Sequence, residues 1–137
     1  MALHLIKLAV GAESLADLAQ WQKRRLKSAG ELAHITRMAP KRADEILAGG
    51  SLYWVIKGVI RVRQRLTEIR PVSSKDGART ALVLDPKLVP VRPTPRRAFQ
   101  GWRYLKPEDA PRDLPKGAAV DDMPDAMRDA LAELGLL

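Results

Sequence analysis

The sequence predicts an α+β fold with a curved or barrel-like sheet. Two observations carry that expectation. Strand-like runs outnumber helical ones, and the later strands follow one another through short turn signals, not through crossover helices. A chain of 137 residues, 46% of them apolar, suits one domain with its own core.

Leu3–Val10 reads as the first strand, with apolar residues on both faces; Leu3, Leu5 and Lys7 share one of them. Gly11 breaks it. Ser14 then has the position of a helix N-cap, with Asp17 three residues on. Leu15, Leu18, Ala19, Gln22 and Leu26 follow at helical spacing, and Gly30 closes the helix behind the basic cluster Lys23, Arg24, Arg25 and Lys27. Cations near a helix C-terminus are favoured by the helix dipole, so that cluster has a structural reading as well as a binding one.

Leu32–Met38 is a second strand. Pro40 is expected to open a short helix over Lys41–Ala48, which Gly49 and Gly50 end. Leu52–Ile56 is a short aromatic strand, and Gly58 permits a turn or bulge after it. Val59–Ile69 alternates most clearly: Ile60, Val62, Gln64 and Leu66 point one way, Arg61, Arg63, Arg65 and Thr67 the other. Ser73–Gly77 carries an Asp-Gly hairpin signal, and Ala78–Leu84 is the return strand. The proline-rich Asp85–Pro95 reads as an extended connection or sheet edge. Arg96–Leu105 reads as a last strand, Lys106–Asp122 as irregular, and Pro124–Leu134 as a final amphipathic helix.

The formal net charge is +8, and its distribution is uneven. Residues 23–103 carry a net +13, whereas residues 104–137 carry −4. A basic body points to an anionic partner, nucleic acid before anionic lipid. No run of about 18 apolar residues is present, so no membrane span is expected. The opening lacks the long apolar core of a secretory signal, and there are no cysteines, which together suit a cytoplasmic protein.

The arginine row is the sharpest chemical feature. Alternate side chains on a strand stand about 6.6–6.8 Å apart, so Arg61, Arg63 and Arg65 form a line of guanidinium groups suited to phosphates. The alternative is a solvated outer face paired with carboxylates. The aromatics come next: Tyr53-Trp54 and Phe99-Gln100-Gly101-Trp102-Arg103-Tyr104 mix rings with cations, as base stacking requires. The alternative is that Trp54 and Trp102 anchor the core. His4 and His34, the only histidines, have no second ligand at metal spacing. No phosphate-loop, dinucleotide or nucleophile-elbow motif occurs. No catalytic residue, metal or cofactor is therefore expected.

Two stretches, HITRMAPKRADEILAGGSLYWVIKG and RPTPRRAFQGWRYLKPEDAP, with the opening MALHLIKLAVGAESLADLAQWQ, resemble a bacterial family of short proteins with no assigned activity. More distantly, a strand, a short helix ending in Gly, an aromatic strand and a long strand ending near Thr-Glu-Ile are similar to the PUA-like superfamily, including the ASCH and EVE domains. That resemblance implies a PUA-like pseudo-barrel of about five or six mostly antiparallel strands with short flanking helices over residues 1–115; the charge distribution sets off an acidic extension with a short helix over 116–137. It also implies binding of RNA, favoured over DNA, or of a modified or splayed base. Tyr53, Trp54 and Lys57 would then line the cleft after the helix, with Arg37 at its rim. The Glu-x-Arg or Glu-x-Lys signature common in ASCH domains is absent after Gly50. The expected interface comprises Arg37, Tyr53, Trp54, Lys57, Arg61, Arg63, Arg65, Arg96, Arg97, Trp102 and Arg103. The alternative function is a protein-interaction or oligomerisation module, with a homodimer as one form. A hydrolase acting on nucleic acid would need a carboxylate or histidine cluster.

Overall fold

The computed structural model describes residues 2–114; the final helix expected at Pro124–Leu134 and most of the acidic extension lie outside them. The described residues form seven strands and two α-helices: β1 (His4–Leu8), α1 (Leu15–Ala29), β2 (Leu32–Thr36), α2 (Ala43–Leu47), β3 (Ser51–Ile56), β4 (Val59–Ser74), β5 (Gly77–Leu84), β6 (Val89–Pro95) and β7 (Trp102–Leu105). The α+β class is as the sequence predicts. The strand path runs β2-β5-β4-β3-β1-β7, with β6 paired to β4 beside it. Only β1 and β3 run parallel.

The path does not close into a barrel. In place of a ladder between its two ends, β2 and β7, side chains of β7 meet the backbone of the segment that follows β2: Trp102 Nε1–H donates to Met38 O at 2.9 Å, and Arg42 N–H donates to Tyr104 Oη at 3.3 Å. β7 is short because the backbone turns at Gly101 (φ +67) and Pro107 follows it. The expected strand over Arg96–Leu105 therefore shrinks to its last four residues.

α1 is capped as expected. Ser14 Oγ accepts from Asp17 N–H at 3.1 Å, and Asp17 Oδ2 accepts from Glu13 N–H at 3.1 Å. Gly30 ends the helix at φ +79, its N–H donating to Leu26 O. α2 starts at Ala43, not next to Pro40, and is only five residues long. The turn between β3 and β4 is made by Lys57 (φ +49) and Gly58 (φ +77) alone, the two-residue geometry that needs positive φ at both central positions.

β4 carries two irregularities that decide which side chains are inside. Val55 faces Ile60 and Trp54 faces Val62, so Arg61 is an extra residue on β4. A second offset lies at Thr67, between the pairs Leu66–Leu84 and Glu68–Val83. The bulge at Arg61 corrects the simple alternation: Ile60 packs on the opposite face of the sheet from Val62 and Leu66. The sheet is thus buried on both sides. One face packs Leu5, Leu52, Trp54, Val62, Leu66 and Leu82 under Leu15 and Leu18 of α1 and Ile46 of α2. The other gathers Ile6, Tyr53, Val55, Ile60, Val91 and Leu105. This explains why β3 is almost wholly apolar after Ser51 and buried at every residue.

Gly50 joins α2 to β3 at a close approach of backbone. A Cβ there would lie 2.2 Å from Leu3 O and 2.5 Å from Ile46 O. Gly50→Ala is expected to lower stability by about 1–3 kcal/mol or more, as overpacking does. Gly30→Ala, with nothing within 4 Å, is expected to cost only about 1 kcal/mol for its left-handed φ. Thermal unfolding of the two variants beside the parent checks the order.

Candidate functional site

The site begins with a buried amide pair. Gln22 on α1 and Gln64 on β4 exchange hydrogen bonds of 2.8 and 2.7 Å, and Gln64 Oε1 also accepts from Trp54 Nε1–H at 2.8 Å. Gln64 Nε2 gives a further bond to Asp85 O at 3.1 Å. Every polar atom of this group is satisfied, as burial requires, and the Trp54 indole is held in one orientation. The edge of that ring meets His34 of β2, with ring centroids 5.5 Å apart and an interplanar angle of 81°.

Lys7 of β1 stands opposite Trp54 on one side and opposite Trp102 of β7 on the other. Side chains directly opposite in a ladder share a face, so Lys7 lies between two indoles on the face that α1 covers. Beyond them a cavity of about 340 Å³ opens between the end of β1, the 9–12 loop and α1. Its floor is Lys7, His34 and Trp54; Trp21, Arg24 and Asp17 line its helix side. An adjoining cavity of about 270 Å³ shares Trp21, His34 and Trp54 and adds Arg25 and Ile35. The two make one cleft along α1. The Arg25 guanidinium lies over the Trp21 ring, 5.6 Å from its centroid, which is the i, i+4 neighbour relation on a helix.

The cleft is basic. Its one carboxylate, Asp17, is occupied at the start of α1. Among the described residues neither Lys7 nor Arg24 forms an ion pair. Burial holds the Lys7 ammonium below its usual pKa. Burial, and then the Lys7 and Arg25 charges, push the His34 imidazole down to about 4, so this ring is neutral at physiological pH. Among the described residues no three His, Cys, Asp or Glu side chains gather in a metal-holding group.

The predicted interface residues are distributed unevenly around this cleft. Trp54 lines it, and Trp102 neighbours it through Lys7. Tyr53 does not, because adjacent strand residues face opposite ways; it is buried on the far face, edge-on to His4 at 5.1 Å. Lys57 sits at a hairpin tip and pairs with Glu13 at 3.1 Å. The arginine row is not an outward line. Arg61, the bulge residue, is only 6% exposed. Arg63 is gripped at two points by Asp113, both bonds 2.7 Å, and donates to Ser51 Oγ at 2.9 Å. Only Arg65 is exposed. Asp113 reaches Arg63 because the chain after β7 returns to bridge Val91 of β6. Arg96 and Arg103 flank the Phe99 ring, each 5.7 Å from its centroid, and Arg97 and Arg37 are exposed.

Sequence reasoning missed Lys7, Trp21, Arg24, Arg25 and His34 as one group. The signals were present. Lys7 is a cation on the core face of an apolar strand, and Trp21, Arg24 and Arg25 share a helix turn with the core residue Gln22. A family profile described as protein of unknown function (DUF1489) matches residues 5–137, and the chain belongs to that family. No curated protein and no solved structure gives a significant match.

Two measurements test this description. Gln64→Leu strands the Gln22 amide and the Trp54 N–H, and is expected to cost about 2–4 kcal/mol in urea unfolding. Gln22→Leu with Gln64→Leu should cost less than the two singles added, because the partners leave together. The second test concerns pH. The folded chain holds His34 near 4, against 6.5 for the free side chain. The unfolded chain therefore binds more protons between those values. Stability from this source is complete above about pH 6.5 and is lost as pH falls towards about 4. His4, also lowered by burial, adds in the same direction. The melting temperature should fall between about pH 7 and about pH 5, and less so in His34→Gln.

Proposed function

We propose that this DUF1489 protein binds nucleic acid, RNA in preference to DNA, by taking an unstacked base into the cleft between α1 and the sheet. The observation that carries the reading is the composition of one concavity: two indoles and a neutral imidazole, surrounded by Lys7, Arg24 and Arg25. Rings supply the flat, apolar faces on which bases stack, and cations hold the flanking phosphates. Trp21 is the ring presented for contact, being 46% exposed, whereas Trp54 is the fixed floor.

Of the other exposed cations, Arg37, Arg65, Arg96, Arg97 and Arg103 are read as outlying backbone contacts. A PUA-like identity for the fold is part of the same proposal. It is supported by the helices packed on one face of a mostly antiparallel sheet, and by the Trp102–Met38 contact that draws the two ends of the strand path together. RNA is favoured on that likeness.

A second reading, a self-association module, has its own observation. β2 is an edge strand, and Ile35 and Met38 along that edge are 46% and 70% exposed. Unpaired edges with apolar side chains invite pairing with another copy. Light scattering separates the two, since association without oligonucleotide binding favours this one.

Anisotropy titration of labelled single strands of about ten nucleotides, close to the footprint of small binding domains, tests the main reading. With about three phosphate contacts the log–log salt slope is expected near −2. Arg24→Gln should flatten it by about 0.7. Trp21→Ala should cost about 1–3 kcal/mol of affinity without altering the melting temperature. Absent binding, or binding indifferent to both salt and Trp21→Ala, refutes it.

A further inference from the structure

Lys7 adds to the cleft an electrostatic preference that stacking alone does not supply. The residue sits at the floor of the cleft, between Trp54 and Trp102 in the ladder. It has no carboxylate partner among the described residues. A half-buried ammonium without a counter-ion is unfavourable, and a ligand that brings an anion to it relieves that cost. An anion paired with Lys7 would lie inside the cleft, since Lys7 lines that cavity and its ladder neighbours are Trp54 and Trp102.

An internal phosphodiester is poorly suited to this. Its chain continues in both directions, and the part of the cleft that holds Lys7 and Arg24, about 340 Å³, lies at the small end of the roughly 300–1,000 Å³ typical of ligand pockets. Such a space takes one nucleotide unit, not a run of strand. A terminal phosphomonoester continues in one direction only. It also carries about −1.5 to −2 charges at neutral pH and matches Lys7 and Arg24, which form no ion pair among the described residues. Resting on the nucleic-acid reading above, we infer that the cleft is a receptor for a nucleoside monophosphate unit, its phosphomonoester held by Lys7 and Arg24 and its base against Trp21. The unit is either the phosphorylated end of a strand or a free mononucleotide.

The test needs no variant at its core. One internally labelled RNA is prepared with a 5′-phosphate, with a 3′-phosphate, and with hydroxyls at both ends, and each is titrated against the full chain. One phosphorylated end is expected to bind about tenfold more tightly than the hydroxyl form, as one added charge-assisted contact provides. Lys7→Met should abolish that difference and Lys7→Arg should retain it, while Trp21→Ala weakens all three RNAs alike. Competition by free nucleoside monophosphates names the source: displacement of the RNA assigns the mononucleotide unit, and lack of displacement with the end preference intact assigns the strand end. Equal binding of the three RNAs overturns this inference and leaves the nucleic-acid reading standing. Binding of the free monophosphate alone upholds the receptor and removes the strand. Binding of nothing removes both.

Discussion

The molecule is organised around one polar link across an apolar interface, the amide exchange between Gln22 and Gln64 with Trp54 as its third member. Leucine contacts between α1 and the sheet tolerate small rotations and slides, because apolar packing is not directional. A reciprocal amide pair does not. It sets which stripe of α1 faces the sheet, and the neighbouring residues follow. With Gln22, Leu15 and Leu18 turned inward, Trp21, Arg24 and Arg25 come to the helix edge, where they wall the cleft. The same network fixes Trp54, against which His34 packs. Support of the fold and construction of the cleft are the same set of bonds.

The second constraint is the pair of offsets in β4. A regular strand would put one face of Val59–Ile69 in the core and the other in water. The extra residue at Arg61 sends Ile60 to the far face, where Val91 and Leu105 cover it, and Arg61 itself is buried. The chain after β7 then brings Asp113 to Arg63. A row of three arginines thereby becomes one buried group, one paired group and one exposed group.

The distribution of acids completes the electrostatic picture. The body is poor in carboxylates, and those in ion pairs among the described residues serve positions away from the cleft. Glu13 holds Lys57, Glu45 holds Arg42, Glu31 and Glu68 hold Arg70, and Asp113 holds Arg63. The surplus of positive charge is thus left partly around Trp21 and Trp54, where walls of low polarity strengthen its field.

The sequence by itself determined the fold class, both ends of α1, the hairpin between β4 and β5 at Ser73–Gly77, a break at Gly58 and most strand positions. Each rests on neighbours within a few residues: a capping serine, a glycine at positive φ, a run of β-branched side chains. It also determined that the body is basic and that Trp54 lies on an aromatic strand. Only the tertiary structure decided which cations remain available. That depends on a one-residue bulge at Arg61, on a carboxylate fifty positions from Arg63, and on the rotation of α1 set by Gln22 against Gln64. Local pattern does not encode these, because a bulge and a long-range ion pair are settled by what the strand meets in space. Lys7 and His34 lie twenty-seven residues apart in the chain and share a cleft because β1 and β2 flank one helix and both meet Trp54.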